Sequence, residues 1–546
     1  MYLDTDDLVT SSIIAFLIAI VVFVFSIKAF RWLSPENYVA DKSLSSHVWV
    51  EKPSYILSDP NACIVCETLT HGSKVRYCDN CEIFVDIGCV KKANKRICCK
   101  ILSTNRPSKT FVHHWNKSLL IDVTCCVCSS DDDTDSVLGH FFQCIWCRRF
   151  LHENCITQFS QKCDFGIYRQ YIIPPFCIKT SNRFKNISKQ TIEKVIHPGW
   201  EKWTPLIIFA NKKSGNNDGA LIISHFRRLL NPIQVYDVID CPPEKALDWL
   251  KTTQLECVFV LVAGGDGTVA GVLNSIHNLQ LRIDPAVGII PLGTGNDLSR
   301  VLGWGTSYSD SDCSGIVNSL DNISVVKLDR WKVKILSNVL KKIKITNTIT
   351  MYNYLGIGLD AQITLNFHRT RKSPLYLFNS TLLNKVIYVG CGTQQFLEHQ
   401  CKGLPDMIEL YMDDKKIVLP DIESIVIVNI ESWGAGVNLW KLGANDGNEY
   451  GAQFIDDGLL EVLGIRSSIH IAQLKMGIAE PIRIGQASVI RVKLLQKLPI
   501  QVDGEPWLQP KFIGSDGKVL PKNELVQVQV QDIKYELVQI LVQTVQ

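Results

Sequence analysis

The chain has 546 residues, 46% of them hydrophobic and 20% charged, a composition that excludes a disordered segment and leaves room for three or four folded domains. A formal net charge of +3 over that length gives no general attraction to nucleic acid, so partners must be read from local features. Fourteen of the 20 cysteines fall between Cys63 and Cys163, largely as C-x-x-C pairs, which reads as zinc ligation in a reducing compartment rather than a secreted disulfide framework.

Leu8 to Ile27 is almost wholly apolar, broken only by Thr10, Ser11, Ser12 and Ser26, and about 20 such residues span a bilayer as a helix. One transmembrane helix is expected over 8–30. Asp4, Asp6 and Asp7 precede the run while Lys28, Arg31 and Trp32 follow it, so the positive-inside rule predicts a single-pass membrane protein with the rest of the chain in the cytosol. The basic leader and small-residue cleavage site of a signal peptide are missing.

Next come two cysteine-rich repeats. In the second, His113 precedes Trp115, followed by Cys125, Cys128, Cys144, Cys147, His152, Cys155 and Cys163, eight ligands for two tetrahedral sites. The first has His47 before Trp49, then Cys63, Cys66, Cys78, Cys81, Cys89 and Cys99, with Asp86 where the second repeat has His152. A carboxylate oxygen also binds zinc, so Asp86 is taken as a ligand.

Both repeats, over 47–99 and 113–163, resemble the C1 zinc finger, the diacylglycerol-binding module of protein kinase C and its relatives. The resemblance implies that His113, Cys144, Cys147 and Cys163 share one ion and that Cys125, Cys128, His152 and Cys155 share the other. Closed sites of this kind hold a fold together and leave no position open for chemistry. Lipid-binding fingers of that family carry Gln-Gly shortly before the second cysteine pair. Here Lys74-Val75 and His140-Phe141 stand there, which implies that neither finger is a strong diacylglycerol receptor. Cys98 and Cys126 read as spare, and Lys91, Lys92, Lys95, Arg96 and Lys100 suit anionic head groups or a plain solvated face.

From about residue 200 three strand, loop and helix units follow. Leu206–Ala210 leads into Asn211-Lys212-Lys213-Ser214-Gly215, Val258–Ala263 into Gly264-Gly265-Asp266-Gly267-Thr268, and Val287–Leu292 into Gly293-Thr294-Gly295-Asn296-Asp297. Fully apolar strands alternating with helices predict an α/β domain over 200–330 with a buried parallel sheet. Its loops should meet at the carboxyl ends of the strands, where backbone N–H groups and helix N-termini receive phosphate oxygens. Neither the Walker sequence nor the protein-kinase H-R-D loop is present. Beyond Val325, β-branched runs and Asp-Gly turns predict a largely antiparallel β domain over 331–520.

These three loops resemble the diacylglycerol kinase catalytic domain. Asn353–Ala361, Asp456–Glu461 and Gln501–Trp507 resemble the accessory domain of that family. The apolar segment, the two fingers, Leu365–Arg369 and Asp86 are together similar to the epsilon type, on the endoplasmic reticulum or plasma membrane. The likeness implies a kinase that uses ATP and Mg²⁺ to convert 1,2-diacylglycerol to phosphatidic acid, attenuating diacylglycerol signalling and feeding phosphatidylinositol resynthesis. Asn211, Lys213, Ser214, Gly215, Gly264, Gly265, Gly267, Thr268, Gly293, Thr294, Gly295, Asn296 and Asp297 would hold the nucleotide. Asp266 and Glu505 would be catalytic, either of them as general base: Asp266 through Mg²⁺ water or the acceptor hydroxyl, Glu505 as a candidate toward the lipid hydroxyl from outside the nucleotide loops. Expected partners are the lipid substrate and membrane lipids, with no nucleic acid. Two other readings are a kinase for sphingosine or ceramide, and an inactive diacylglycerol-responsive scaffold.

Overall fold

The computed structural model describes residues 47–51, 61–66, 68–70, 75–104, 111–118, 123–129, 141–180, 191–308, 313–339, 342–372, 401–443, 450–509, 526–532 and 538–543. The chain forms two compact units, one from Met1–Ile101 with Val112–Cys163, the other from Leu102–Phe111 with Asp164–Gln546.

In the first unit each repeat is a three-stranded antiparallel sheet: Trp49–Glu51, Val75–Cys78 and Phe84–Asp86, then Trp115–Ser118, Phe141–Cys144 and Phe150–His152. The registers repeat, with Trp49 opposite Cys78 and Trp115 opposite Cys144. Among the described residues Cys125, Phe141 and Leu151 form a buried cluster on the second sheet, with Trp115, Val127, Phe150 and Phe159 packed against it, a small apolar centre for a module. The repeats are joined by Arg148 on Glu82 and by the Lys100 ammonium 5.1 Å from the Trp146 ring.

The second unit opens with the expected α/β pattern. Strands β1 (Leu206–Ala210), β2 (Val235–Asp237), β3 (Phe259–Gly264) and β4 (Ala286–Pro291) run parallel in the order β2-β1-β3-β4. Every residue of β1 and β4 is buried, as strands covered on both faces require. Helices α1 (Asp218–Leu229), α2 (Asp266–Asn278) and α3 (Asp297–Val301) follow β1, β3 and β4. Two further strands complete the sheet: β5 (Ile323–Leu328), and the last described segment of the chain, Val538–Gln543, which lies parallel to β4 and antiparallel to β5. The sheet is therefore mixed, with a strand distant in sequence inserted between β4 and β5.

The accessory region is a β-sandwich. Trp331–Val339, Lys342–Met351, Ile408–Met412, Lys415–Ile417, Val489–Leu494 and Val526–Asp532 form one six-stranded sheet; Tyr354–Gly358, Ser424–Val428, Leu460–Ile465, Ile482–Ala487, Leu498–Val502 and Glu505–Gln509 form the other. Alternation decides which side chains face which layer. Leu355, Ile357, Ile425 and Ile427 join Val333, Ile335, Ile490, Val492 and Val528 between the sheets. Their neighbours Tyr354, Val426 and Val428 face a helical layer with Leu359, Ile363, Phe367, Ile471 and Leu474.

The expected single-pass anchor is corrected. No helix among the described residues is long and apolar enough to cross a membrane. The longest, Leu359–Lys372, has 14 residues; at 1.5 Å per residue that is about 21 Å, short of the ~30 Å hydrocarbon core. The run at 8–30 lies outside the described residues, and the topology and membrane placement inferred from it are not carried forward.

Candidate active site

The ends of β1, β3 and β4 are in line, with Ala210 opposite Ala263 and Gly264 opposite Pro291, so the three loops after them emerge together. They form one wall of a cleft of about 810 Å³, whose other wall comes from the accessory sandwich and its helices. Asn211, Lys213, Ser214, Gly215, Gly265, Asp266, Gly267, Thr268, Gly293, Thr294, Gly295 and Asp297 line the first wall. Of the residues expected to hold a nucleotide, Gly264 and Asn296 alone lie behind it.

Both of these build the loops. A Cβ on Gly264 would stand 2.6 Å from the Thr268 Cβ, and one on Gly293 would stand 2.6 Å from the Gly265 Cα. The two glycine loops pack backbone to backbone, which no other residue permits at those positions. Asn296, in the left-handed region at φ +52°, accepts from the Gly293 N–H at 2.8 Å and donates to the Gly293 and Thr306 carbonyls at 2.9 Å. All its polar atoms serve the turn. Asn211 works the same way, its Oδ1 accepting from the Lys213 N–H at 3.1 Å. Lys212 turns away to Asp237 and Asp240, at 2.9 and 3.2 Å, while Lys213 lines the cleft.

Asp266 is the first residue of α2, half-buried, with Oδ1 accepting from Leu298 N–H at 3.1 Å and Asn353 Nδ2 at 3.2 Å, and Oδ2 from Asp297 N–H at 3.3 Å. Burial first, then the charge of Asp297, pushes its carboxyl up to about 6 despite those donors. Asp297 reaches the opposite wall: Oδ1 accepts from Ser432 Oγ at 2.5 Å and from the Ala435 and Gly436 N–H groups at 3.0 and 3.2 Å, and Oδ2 from Tyr354 Oη at 3.3 Å. It clasps the two walls together.

Across the cleft Asp503 accepts from three consecutive N–H groups, Tyr352, Asn353 and Tyr354, at 2.8, 2.8 and 3.0 Å. Burial pushes its carboxyl up to about 7, and the Asp266 charge adds to this. Glu505 differs from both, with a side chain 77% exposed and Oε2 3.9 Å from His368 Nδ1. A Cβ on Gly267 would lie 4.0 Å from its Oε1, which puts this carboxylate beside the glycine loop. Asp360 and Lys475 lie on the same wall. Burial lifts the Asp360 carboxyl to about 6 against a hydrogen bond from Gln501 Nε2 at 3.0 Å, and burial lowers the Lys475 ammonium against the charges of Asp360 and Asp297.

Sequence reasoning missed Asn353, Asp360, Asp503, His368 and Lys475 as lining residues. The first three stand inside segments already singled out, Asn353–Ala361 and Gln501–Trp507, so their place in those segments was a usable signal. Lys475 gave none, being one lysine at the end of a short helix.

In the first unit four ligand sets have donor atoms within 4.8 Å of one another: His47, Cys78, Cys81 and Cys99; Cys63, Cys66, Asp86 and Cys89; His113, Cys144, Cys147 and Cys163; Cys125, Cys128, His152 and Cys155. Asp86 stands with three thiols, and Cys98 and Cys126 stand outside the sets. His47 is oriented from behind, its Nε2 3.0 Å from the Ile97 carbonyl while Nδ1 faces Cys81 at 3.4 Å. Every described cysteine is a free thiol.

Glycine loops at the strand ends, facing carboxylates carried by a β-sandwich and its helices, define a two-lobed α/β protein with an interlobe cleft. Residues 205–328 match the diacylglycerol kinase catalytic domain and residues 350–506 the diacylglycerol kinase accessory domain, together just over half of the chain. The chain belongs to the diacylglycerol kinase family. It is 32% identical over 514 residues to a Caenorhabditis elegans protein named probable diacylglycerol kinase 3, covering 86% of this chain and 63% of that one. It is 40% identical over 315 residues to human diacylglycerol kinase theta, covering 56% of this chain and 33% of that one. The chain thus spans less than two thirds of either relative. A crystal structure of a diacylglycerol kinase from Bacillus anthracis matches with a TM-score of 0.38 at 16% identity, over 62% of this chain and 96% of that one. The expected epsilon type is corrected to the family alone: these matches show no specific likeness to that type, and the apolar segment that suggested it lies outside the described residues.

Proposed function

We propose that this chain phosphorylates the free hydroxyl of 1,2-diacylglycerol with ATP, giving phosphatidic acid. The observation that carries the reading is the single cleft in which three phosphate-suited loops face Asp266, Asp503 and Glu505. Gly265 caps α2 and Gly267 lies in its first turn, where the N–H groups of a helix N-terminus favour anionic oxygens; the Thr268 N–H donates to the Gly265 carbonyl at 2.9 Å, and Asn211–Gly215 and Gly293–Gly295 flank this turn. ATP phosphates fit this wall because the glycines let backbone approach closely.

Mg²⁺ fits beside them: Asn353 Oδ1 is buried with no hydrogen-bond partner among the described residues and its amide donates to Asp266, leaving an acceptor and a carboxylate together. When bound, the ion neutralises charge on the phosphate oxygens. Asp266 supplies negative charge at the phosphate end, and Lys213 a cation at the loop opposite. Glu505, exposed and therefore able to accept a proton from an incoming alcohol, is the general base we assign, with His368 orienting it. Asn296 and Gly264 act by shaping the loops. In the fingers, mixed thiolate and imidazole sets are the donors of structural zinc, with one aspartate in the first repeat.

Purified protein with labelled ATP, Mg²⁺ and a panel of lipid alcohols in mixed micelles tests this. Labelled phosphatidic acid is the expected product. Labelled sphingosine or ceramide phosphate instead would reassign the acceptor, and no labelled lipid at all would leave the inactive scaffold.

A further inference from the structure

A kinase whose acceptor is a membrane lipid must present its cleft to a bilayer, and one face of the accessory region has the features this requires. The eight-residue helix Ser468–Lys475 buries Ile471 and Leu474 in the helical layer of the sandwich. Its packing needs are met on that side. Yet the opposite side is also apolar: Ile469 is 53% exposed, Ala472 is exposed one turn on, and Met476, seven residues after Ile469, is 65% exposed. Gly477, at φ +69°, then turns the chain and leaves Ile478 69% exposed. Exposed apolar residues scattered singly mean little, but four at helical spacing and in the turn that follows form one patch.

Beside this patch runs a groove of about 720 Å³, lined by the 436–442 segment and by Leu474–Glu480. Two of its lining residues, Val437 and Lys475, also line the active-site cleft, so groove and cleft are continuous. The charged side chains of the lining are Lys441, Lys475 and Glu480, two cations against one anion. An apolar patch beside a groove continuous with the cleft, with Lys441 exposed at its edge, suits a surface with apolar interior and anionic head groups.

We propose that the Ser468–Lys475 helix and the Met476–Ile478 turn rest on a lipid bilayer, and that the groove carries the acyl chains of the acceptor lipid into the cleft. The proposal rests on the lipid-kinase reading above and adds where the substrate comes in. Lys475, at the junction of groove and cleft, would meet the polar glycerol region while Phe367 and Val437 meet the first methylenes.

The test uses the full chain and vesicles of phosphatidylcholine and phosphatidylserine containing a diacylglycerol with a photoreactive diazirine on one acyl chain. Crosslinks mapped by mass spectrometry should fall on Val437–Leu442 and Met476–Glu480. The double variant Ile469→Asp/Ala472→Asp, on the exposed side of the helix and outside the lining of groove and cleft, should raise the apparent KM for diacylglycerol in vesicles about tenfold. It should leave turnover of a short-chain diacylglycerol, dissolved as monomer, within about twofold of the unsubstituted protein. Ile469→Leu/Ala472→Leu, which keeps the patch apolar, should behave as the unsubstituted protein in both presentations. Crosslinks absent from both segments overturn the proposal, as does an unchanged vesicle KM or an equal loss in both presentations. If the unsubstituted protein phosphorylates neither form, the kinase reading fails, while the crosslinks still report on the face.

Discussion

Asp266, the carboxylate proposed to act in the cleft, is held by two backbone N–H groups and Asn353 against burial and the neighbouring Asp297. Asp266→Asn keeps the shape and removes the charge, so turnover should fall by about a hundredfold or more with the melting temperature nearly unchanged. Labelled phosphate transfer beside a thermal melt checks this; near-normal turnover would remove Asp266 from the site. Because its carboxyl sits up at about 6, the charged form is lost as pH falls through that value, and activity should decline there rather than near pH 4. Gly293 tests shape instead of charge. A methyl group there would lie 2.6 Å from the Gly265 Cα, so Gly293→Ala must separate the two loops, at a cost of about 1–3 kcal/mol. The expected result is a lower melting temperature and a raised KM for ATP, read from melts and initial rates.

At the level of elements, the strands of the sandwich carry polar residues that the alternation alone would not place inside. Glu461, in the Leu460–Ile465 strand, is fully buried and accepts from Gln453 Nε2 at 2.9 Å and Gln486 Nε2 at 3.0 Å. Burial pushes its carboxyl up from 4.5 to about 8. A raised carboxyl means that the folded state holds a proton the unfolded chain has released, so its contribution to stability is complete below pH 4.5 and lost as pH rises through 8. The melting temperature should therefore fall across that window. In Glu461→Gln, which is neutral throughout, the fall should be shallower, and melts at a series of pH values decide it; equal slopes would mean that Glu461 ionises freely.

For the whole molecule, the two repeats and the kinase unit use different means to stay folded. The second unit has large apolar layers, whereas the finger unit has small buried centres beside four clusters of thiol, imidazole and carboxylate donors. Purified full-length protein should contain about four zinc ions per chain, one for each set. Asp86→Ala should reduce that to about three, because Cys63, Cys66 and Cys89 then lack their fourth donor. Metal analysis by emission spectroscopy checks both. An unaltered content in the variant would mean that water or Thr68, whose Oγ1 is 3.4 Å from Asp86 Oδ2, completes that set.

Local pattern was enough wherever the physics is local. The ligand spacing of the fingers, the apolar strands ending in Gly264-Gly265 and Pro291-Leu292-Gly293, and the Asp-Gly turns each follow from a few adjacent residues, and each was legible in the sequence. Asn296 was legible as part of the loop but not as its clamp, since that depends on where its amide finds carbonyls. What only the tertiary structure decided is long-range. Val538–Gln543 joins a sheet begun by Leu206–Ala210, Asp297 takes four hydrogen bonds from the other wall, and Lys475 reaches a cleft whose first loop begins at Asn211. No periodicity records such pairings, because they arise from how separate layers cover each other's apolar faces, and the active cleft lies where those layers meet.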